Sequence, residues 1–420
     1  MTMNLGKLLL APSIVASLAA LSAQALAAPV TLQWWNNGVN EPLKSIFQKA
    51  TDDYNKSQSD YVVQDTPIQN EQIGTKITLA LQSDTPPDIY FNQGAHLLSD
   101  QAESGKVADI TDLTKSWIGD LGSAAGNWTV DGKQMGIPYT MHVVGFWYRK
   151  DLFEKAGITG TPKTMKDLDD AITKLKAIGV APIALGGKDR WPDAFYYDLF
   201  ALRLCDKDVM MSQLKDGKLT DQCFTDAGQA TLDFLKSSPF QEGFNGTSAQ
   251  QGPGSSAGLV ANGKAAMELQ GTWDLGTMQG LTDDKDLPNK MGWFPFPAIE
   301  GGKGDPSAAL GGGDGTSCTN GPNLKGCVDF LHFLSSKDIQ SQLVASGAIT
   351  IPVVAAAADA ITLPVLKEVV DFNNKAAYVQ TYFDLSLPSA QGGALDEAAA
   401  NLFAGQGGPT AVADAVNAAQ

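Results

Sequence analysis

Three tryptophan-bearing segments hold the most suggestive chemistry in this chain: Trp34-Trp35-Asn36-Asn37, Arg190-Trp191-Pro192-Asp193 and Gly271-Thr272-Trp273-Asp274. In each, a flat aromatic face stands beside Asn or Asp instead of inside a periodic apolar pattern. That pairing suits an uncharged ligand with apolar faces and many hydroxyls, which describes a sugar. Any one of these tryptophans is equally well explained as a partly buried core residue.

Other candidate chemistries are weaker. Gly254-Ser255-Ser256-Ala257-Gly258 matches the nucleophile-elbow pattern, which requires a strand before it and a helix after it. Gln250-Gln251-Gly252-Pro253 cannot supply that strand, and the one histidine downstream, His332, falls in an expected helix. Gly301-Gly302-Lys303-Gly304 reads as a surface loop, because neither phosphate-loop spacing is present. Gly311-Gly312-Gly313-Asp314-Gly315 suits either a turn or a backbone that approaches a ligand closely. With no C-x-x-C and only His96, His142 and His332, spacing argues against a metal site, and no cofactor motif occurs.

The elements that would position these residues alternate. Val30–Trp35 reads as a strand, Asn40 as a helix cap, and Leu43, Ile46, Phe47, Ala50 and Tyr54 as one helical face. Tyr61–Gln64 gives a second strand, Ile73, Ile77, Ala80 and Leu81 a second helix, and Asp88–Phe91 a short buried strand. Val143–Tyr148, bordered by Pro138, starts another such unit. Its helix opens on Thr164 and Asp167, stops at Gly179 and returns as the strand Val180–Leu185. Residues 245–258 read as a loop, and helical patterns resume at Val328–Leu334, Ile339–Val344 and Ala394–Phe403. The expected class is α/β with a mostly parallel sheet in each of two lobes.

Composition narrows the partners. The 420 residues carry 30 Lys and Arg against 46 Asp and Glu, a net charge of −16, which disfavours nucleic acid and anionic membrane surfaces. Residues 1–28 read as a secretory signal: Lys7, the apolar run Leu8–Leu21, and Ala25-Leu26-Ala27 before the cut. No cysteine near that point allows a lipid anchor, so a periplasmic or extracellular location is expected. Cys205, Cys223, Cys318 and Cys327 permit three pairings; the sequential one, closing two short loops, is expected.

Taken in order, many segments resemble one family. They include Trp34–Gly38 with Glu41-Pro42-Leu43, Gln69-Asn70-Glu71, Leu79–Ser83 with Pro86–Ile89, and Phe146–Phe153. Asn262–Met267 with Gly271-Thr272-Trp273, Gly311–Gly315, Gln380–Asp384 and Leu402–Gly405 continue the series. The chain resembles the extracellular solute-binding proteins of carbohydrate ABC importers, of the maltose- and oligosaccharide-binding type, and is most similar to xylobiose- and raffinose-binding proteins. That resemblance implies a two-lobed periplasmic-binding-protein clamp with several crossings between lobes. After the signal, 29–140 and 292–336 would form one lobe, and 141–291 and 337–420 the other. It also implies a cleft formed by Trp35, Asn36, Asn37, Glu41, Asn92, Gln93, His142, Trp191, Trp273, Asp314, Gln380 and Asp384. Trp273 takes the usual sugar-stacking place. The relatives often carry another tryptophan after Phe91-Asn92-Gln93, where this chain has Gly94-Ala95. The expected function is a monomeric, non-enzymatic receptor delivering an oligosaccharide to the importer's membrane subunits. The rival expectation is a secreted glycoside hydrolase using cleft carboxylates such as Glu41, Asp314 and Asp384.

Overall fold

A computed structural model describes residues 1–2 and 28–419. The expected signal segment falls almost wholly outside the described residues.

Twelve strands are present among the described residues: β1 (Val30–Asn36), β2 (Tyr61–Pro67), β3 (Ile89–Asn92), β4 (Thr129–Val130), β5 (Lys133–Gln134) and β6 (Ile137–Arg149), then β7 (Ala181–Ala184), β8 (Ala265–Gly271), β9 (Met291–Pro295), β10 (Ala309–Cys318), β11 (Ile351–Pro352) and β12 (Val379–Thr381). Apart from the β4–β5 hairpin they make one sheet in the order β2-β1-β3-β10-β6-β8-β7, with β9 and β11 also on β6 and β12 on β10. Helices flank it, and the class is mixed α/β.

Parallel pairing holds where strands alternate with helices, as β2-β1-β3 and β7-β8. The middle differs from the mostly parallel expectation. There β10 runs antiparallel to both β3 and β6, and β6 antiparallel to β8 and β9. Two long strands, β6 and β10, lie side by side in this middle and each pairs with strands on both sides. β6 has 13 residues, twice the length expected, and starts before Pro138. The proline is tolerated because it faces Gly315 where the β6–β10 register shifts at Asp314/Gly315.

The glycine run 311–315 is therefore not a turn but the middle of the largely buried strand β10. A Cβ on Gly312 would stand 2.4 Å from the Tyr382 ring, so glycine lets that tyrosine lie flat on β10.

Side-chain alternation along β6 serves two cores. Val143 and Trp147 join the core containing Trp34, Phe47 and Phe330, while Val144 and Phe146 join the one containing Phe200, Phe294 and Phe296. The helix Trp191–Leu204 is buried from Pro192 to Arg203, apolar almost all round as a central helix must be. The helices Leu43–Ser57, Asn70–Leu81 and Met165–Ala177 form where the periodicity placed them, the last with the Thr164/Asp167 capping box complete. Asn40 does not cap the first helix: Pro42 precedes it without a side-chain cap, and only the Asn40 carbonyl is used, accepting from Lys44 N. Within 245–258, expected to be loop, Ser255 caps a helix, Ser256–Ala261, that starts before the segment ends.

Both sequential disulfides, Cys205–Cys223 and Cys318–Cys327, are present. Among the described residues, no helix is long and apolar enough to cross a membrane.

Candidate functional site

A cleft of about 1100 Å³, partly open to solvent, lies where strand ends of both halves of the sheet meet. One wall is built from β1, β3 and β10. β1 and β3 end in the same device: the side-chain oxygen of Asn36 accepts from Gly38 N (2.9 Å), and that of Asn92 from Gly94 N (2.6 Å). These short side-chain turns bury the asparagine and project the next residue, Asn37 or Gln93, toward the cleft. The amide nitrogens of the two buried residues are tied to Asp65 and Gln101.

Asp314, on β10, is the hub of this wall. Its carboxylate accepts from Asn37 Nδ2 (3.3 Å) and Gln93 Nε2 (3.5 Å), and lies 3.4 Å from both Tyr139 OH and His142 Nε2. Tyr139 OH also donates to Asn37 Oδ1 at 2.8 Å, and His142 Nδ1 meets Thr272 Oγ1 at 2.9 Å. Burial, with the Asp314 charge alongside, holds the Tyr139 phenol well above its ordinary range. Glu41, at the rim, accepts from Ser45 Oγ at 2.5 Å. Gln69 and Asn70 complete this side.

The opposite wall is aromatic. Trp191 contacts Trp273 (ring centroids 6.0 Å) and Phe195 (5.3 Å), and Phe195 contacts Tyr382 (5.3 Å). Trp273 in turn meets the His142 ring edge-on at 4.9 Å. Residues 191 and 195 lie one helical turn apart on a single face, so one helix delivers two rings. Trp273 follows β8 and folds back across it. A Cβ on Gly271 would stand 2.0 Å from its indole, which is why glycine precedes it.

Carboxyls complete this wall: Asp384 and Asp396 both line the cleft. Burial raises the Asp384 pKa to about 6. Asp396 is pushed well above the usual carboxylate range, by burial first and then by repulsion from Asp384, Asp198 and Asp193.

Seven of the twelve expected residues line the cleft: Asn37, Glu41, Gln93, Trp191, Trp273, Asp314 and Asp384. Five do not. Trp35 sits two residues back along β1, packed on the core. Asn36 and Asn92 shape the turns. His142 braces Asp314 and Trp273 from the adjoining strand. Gln380 donates to Thr381 O (2.9 Å) and Ser386 Oγ (3.1 Å), fixing the turn after β12. Sequence reasoning missed Phe195, Tyr382, Asp396, Gln69, Asn70 and Gln250. The i+4 spacing from Trp191 could have found Phe195, and adjacency to Asp384 could have found Tyr382. Asp396 lies in an alanine-rich helix, Ser389–Phe403, that carries no such signal.

The nucleophile-elbow serines do other work. Ser255 caps its helix, accepting from Gly258 N, and Ser256 Oγ donates to Glu268 Oε1 at 2.5 Å.

Residues 38–341, most of the chain, match the family profile of the bacterial extracellular solute-binding proteins. The chain belongs to that family. This solute-binding protein is 29% identical over 266 residues to an uncharacterised ABC transporter extracellular-binding protein of Pyrococcus horikoshii, covering 60% of this chain and 58% of that one. It thus spans under two thirds of that relative's length. It is 26% identical over 344 residues to the sn-glycerol-3-phosphate-binding periplasmic protein of Agrobacterium fabrum, covering 75% and 72% of the two chains. Its fold superposes on a structure from a study of xylan utilization by the thermophilic bacterium Caldanaerobius polysaccharolyticus, with a TM-score of 0.86 and 26% identity. That match covers 93% of this chain and 99% of the other.

Proposed function

We propose that this solute-binding protein is the substrate receptor of an ABC sugar importer and that it holds an oligosaccharide between the two walls. One observation supports this above all: the clustered rings Trp191, Trp273, Phe195 and Tyr382 face the amide and carboxylate row Asn37, Gln93 and Asp314 across one cleft. A sugar ring offers an apolar C–H face to indole and edge hydroxyls to amides and carboxylates. Lobes made of 29–140 with 292–336, and 141–291 with 337–420, would close on it about β6 and β10. The closed monomer would then engage the importer's membrane subunits. The chain is exported, with cleavage within a few residues of Ala28; N-terminal sequencing of secreted protein tests this, and Met1 retained on it would contradict it.

The function is tested by incubating the mature protein with xylo-, malto- and galacto-oligosaccharides while following its melting and the appearance of new reducing ends. A raised melting temperature with no new ends is expected, since a ligand bound only to the native state stabilises it. New reducing ends would make the protein a hydrolase, and no shift with any sugar would remove the sugar reading.

A further inference from the structure

The cleft is rich in carboxyl groups and carries no cation of its own. Glu41, Asp314, Asp384 and Asp396 line it, and among the described residues lining it there is no Lys, Arg or His. More acid lies directly behind the aromatic wall. Asp198 follows Trp191 and Phe195 at spacings that put all three on one face of their helix, the face that forms the wall. It is 1% exposed; one carboxyl oxygen accepts from Phe383 N at 3.2 Å and the other has no hydrogen-bond partner. Asp193 is fully buried with neither oxygen partnered, and Asp396 Oδ1 is also unpartnered. Trp191 and Trp273 likewise leave their indole N–H groups unpaired.

The nearby cation offsets these carboxyls only in part: Arg190 pulls the Asp396 pKa down less than burial or any of its carboxyl neighbours pushes it up. Arg190 stands at the surface, 3.7 Å from Glu397, with both side chains more than half exposed. Burial and mutual repulsion hold Asp198 and Asp396 well above the ordinary carboxylate range. Buried carboxyls that repel one another are relieved when a positive charge is placed among them. A bare metal ion does not fit: among the described residues, no three His, Cys, Asp or Glu groups are arranged to hold one. An ammonium group on a larger ligand does fit. It can donate to the unpartnered Asp396 Oδ1 and to Asp384 on the cleft wall, and indole faces attract it as well.

We propose that the cleft selects an amino-sugar oligosaccharide, bearing a protonated amine, over its neutral and anionic counterparts. This rests on the sugar-receptor reading above. The amine sits at Asp384 and Asp396 while the ring beside it stacks on Trp191 or Trp273. With four carboxyl groups and no cation among the described residues of its lining, the cleft offers a phosphate or a uronate no partner, so sn-glycerol-3-phosphate, for which the Agrobacterium relative is named, is not a ligand here.

Calorimetric titration of the mature protein tests this with glucosamine and galactosamine oligosaccharides, their N-acetylated and hydroxyl counterparts, and oligogalacturonate. The amines are expected to bind at least tenfold tighter than the neutral members of the same series, with no binding of the galacturonate. Asp384→Asn and Asp396→Asn, checked for folding by melting, should each shrink the amine-to-neutral ratio. Neutral sugars binding as tightly as amines would overturn the selectivity and leave the sugar receptor standing. No binding by any member of the panel would overturn the selectivity, and no melting shift with the xylo-, malto- and galacto-oligosaccharides as well would overturn the sugar reading.

Discussion

The two walls of the cleft solve opposite problems. The wall from β1, β3 and β10 is satisfied before any ligand arrives: Asn36 and Asn92 are locked in turns, and Asp314 has four partners around it. The wall from the Trp191–Leu204 helix, the segment after β8 and the helices after β12 is the reverse. Its rings pack on one another while the Trp191, Trp273 and Tyr382 polar atoms and one Asp396 oxygen stay unpaired. A preorganised polar wall fixes ligand orientation at little ordering cost, whereas an aromatic, under-neutralised wall gains most when a ligand covers it. Affinity should therefore depend more on the second wall, and orientation more on the first.

The most severe way to break this contrast is Trp273→Ala. Truncating a stacking tryptophan of this kind should cost about 2–4 kcal/mol of binding, roughly a thirty- to thousand-fold loss of sugar affinity. Titration alongside apo melting curves checks it. Unchanged affinity with a large fall in apo stability would make Trp273 a core residue and remove the second wall's role.

Acidity sharpens the same contrast. Asp384 has a folded-state pKa of about 6 against 3.8 for a free carboxyl, because burial favours its protonated form. A raised carboxyl pKa contributes stability that is fully present below the unfolded value and lost as pH rises through the folded one. Apo stability should accordingly fall between pH 4 and pH 6, by about 2–3 kcal/mol from this group. Urea unfolding at intervals across that range should show a shallower fall in Asp384→Asn. Identical slopes in the two proteins would mean that burial does not favour the protonated form of Asp384.

Behind the first wall, Cys318–Cys327 ties the end of β10 to the helix Leu324–Leu334 through a sequence separation of 9. Replacing both by serine should lower the unfolding free energy by about 2.5 kcal/mol on loop-closure grounds. Sugar affinity should barely move, because Asp314 keeps its own partners. A large affinity loss would show that the polar wall is not preorganised by its hydrogen bonds. The smallest effect belongs to Asp314→Asn, which keeps the shape and removes the charge that its donors share. About 1.5 kcal/mol of binding, near a tenfold loss, is expected by titration. A loss matching that of Trp273→Ala would erase the distinction between the walls.

How legible all this was depended on the range of the interactions. Strand–helix alternation up to Phe91, the Thr164 capping box and the sequential disulfides rest on neighbours in sequence, and the pattern carried them. The antiparallel middle of the sheet was not legible. β10 meets β6 across some 170 residues, and a run of glycines reads as a turn until Tyr382 and Trp128 are seen to need the room. At the site, resemblance brought pairs such as Asn36-Asn37 and Asn92-Gln93 to attention together. Alternation sends the members of each pair opposite ways, one into a turn and one into the cleft. Asp396 was invisible because its neighbours in sequence are alanine, leucine and glutamate, while its neighbours in space are carboxyls brought by two other segments, the Trp191–Leu204 helix and the stretch holding Asp384.

A crystal structure with the oligosaccharide that binds most tightly in the titrations is the most direct test. The account predicts a sugar ring within about 4 Å of the Trp273 or Trp191 indole, with its hydroxyls on Asn37, Gln93 or Asp314. A sugar held elsewhere on the molecule, with both walls uncovered, would contradict it.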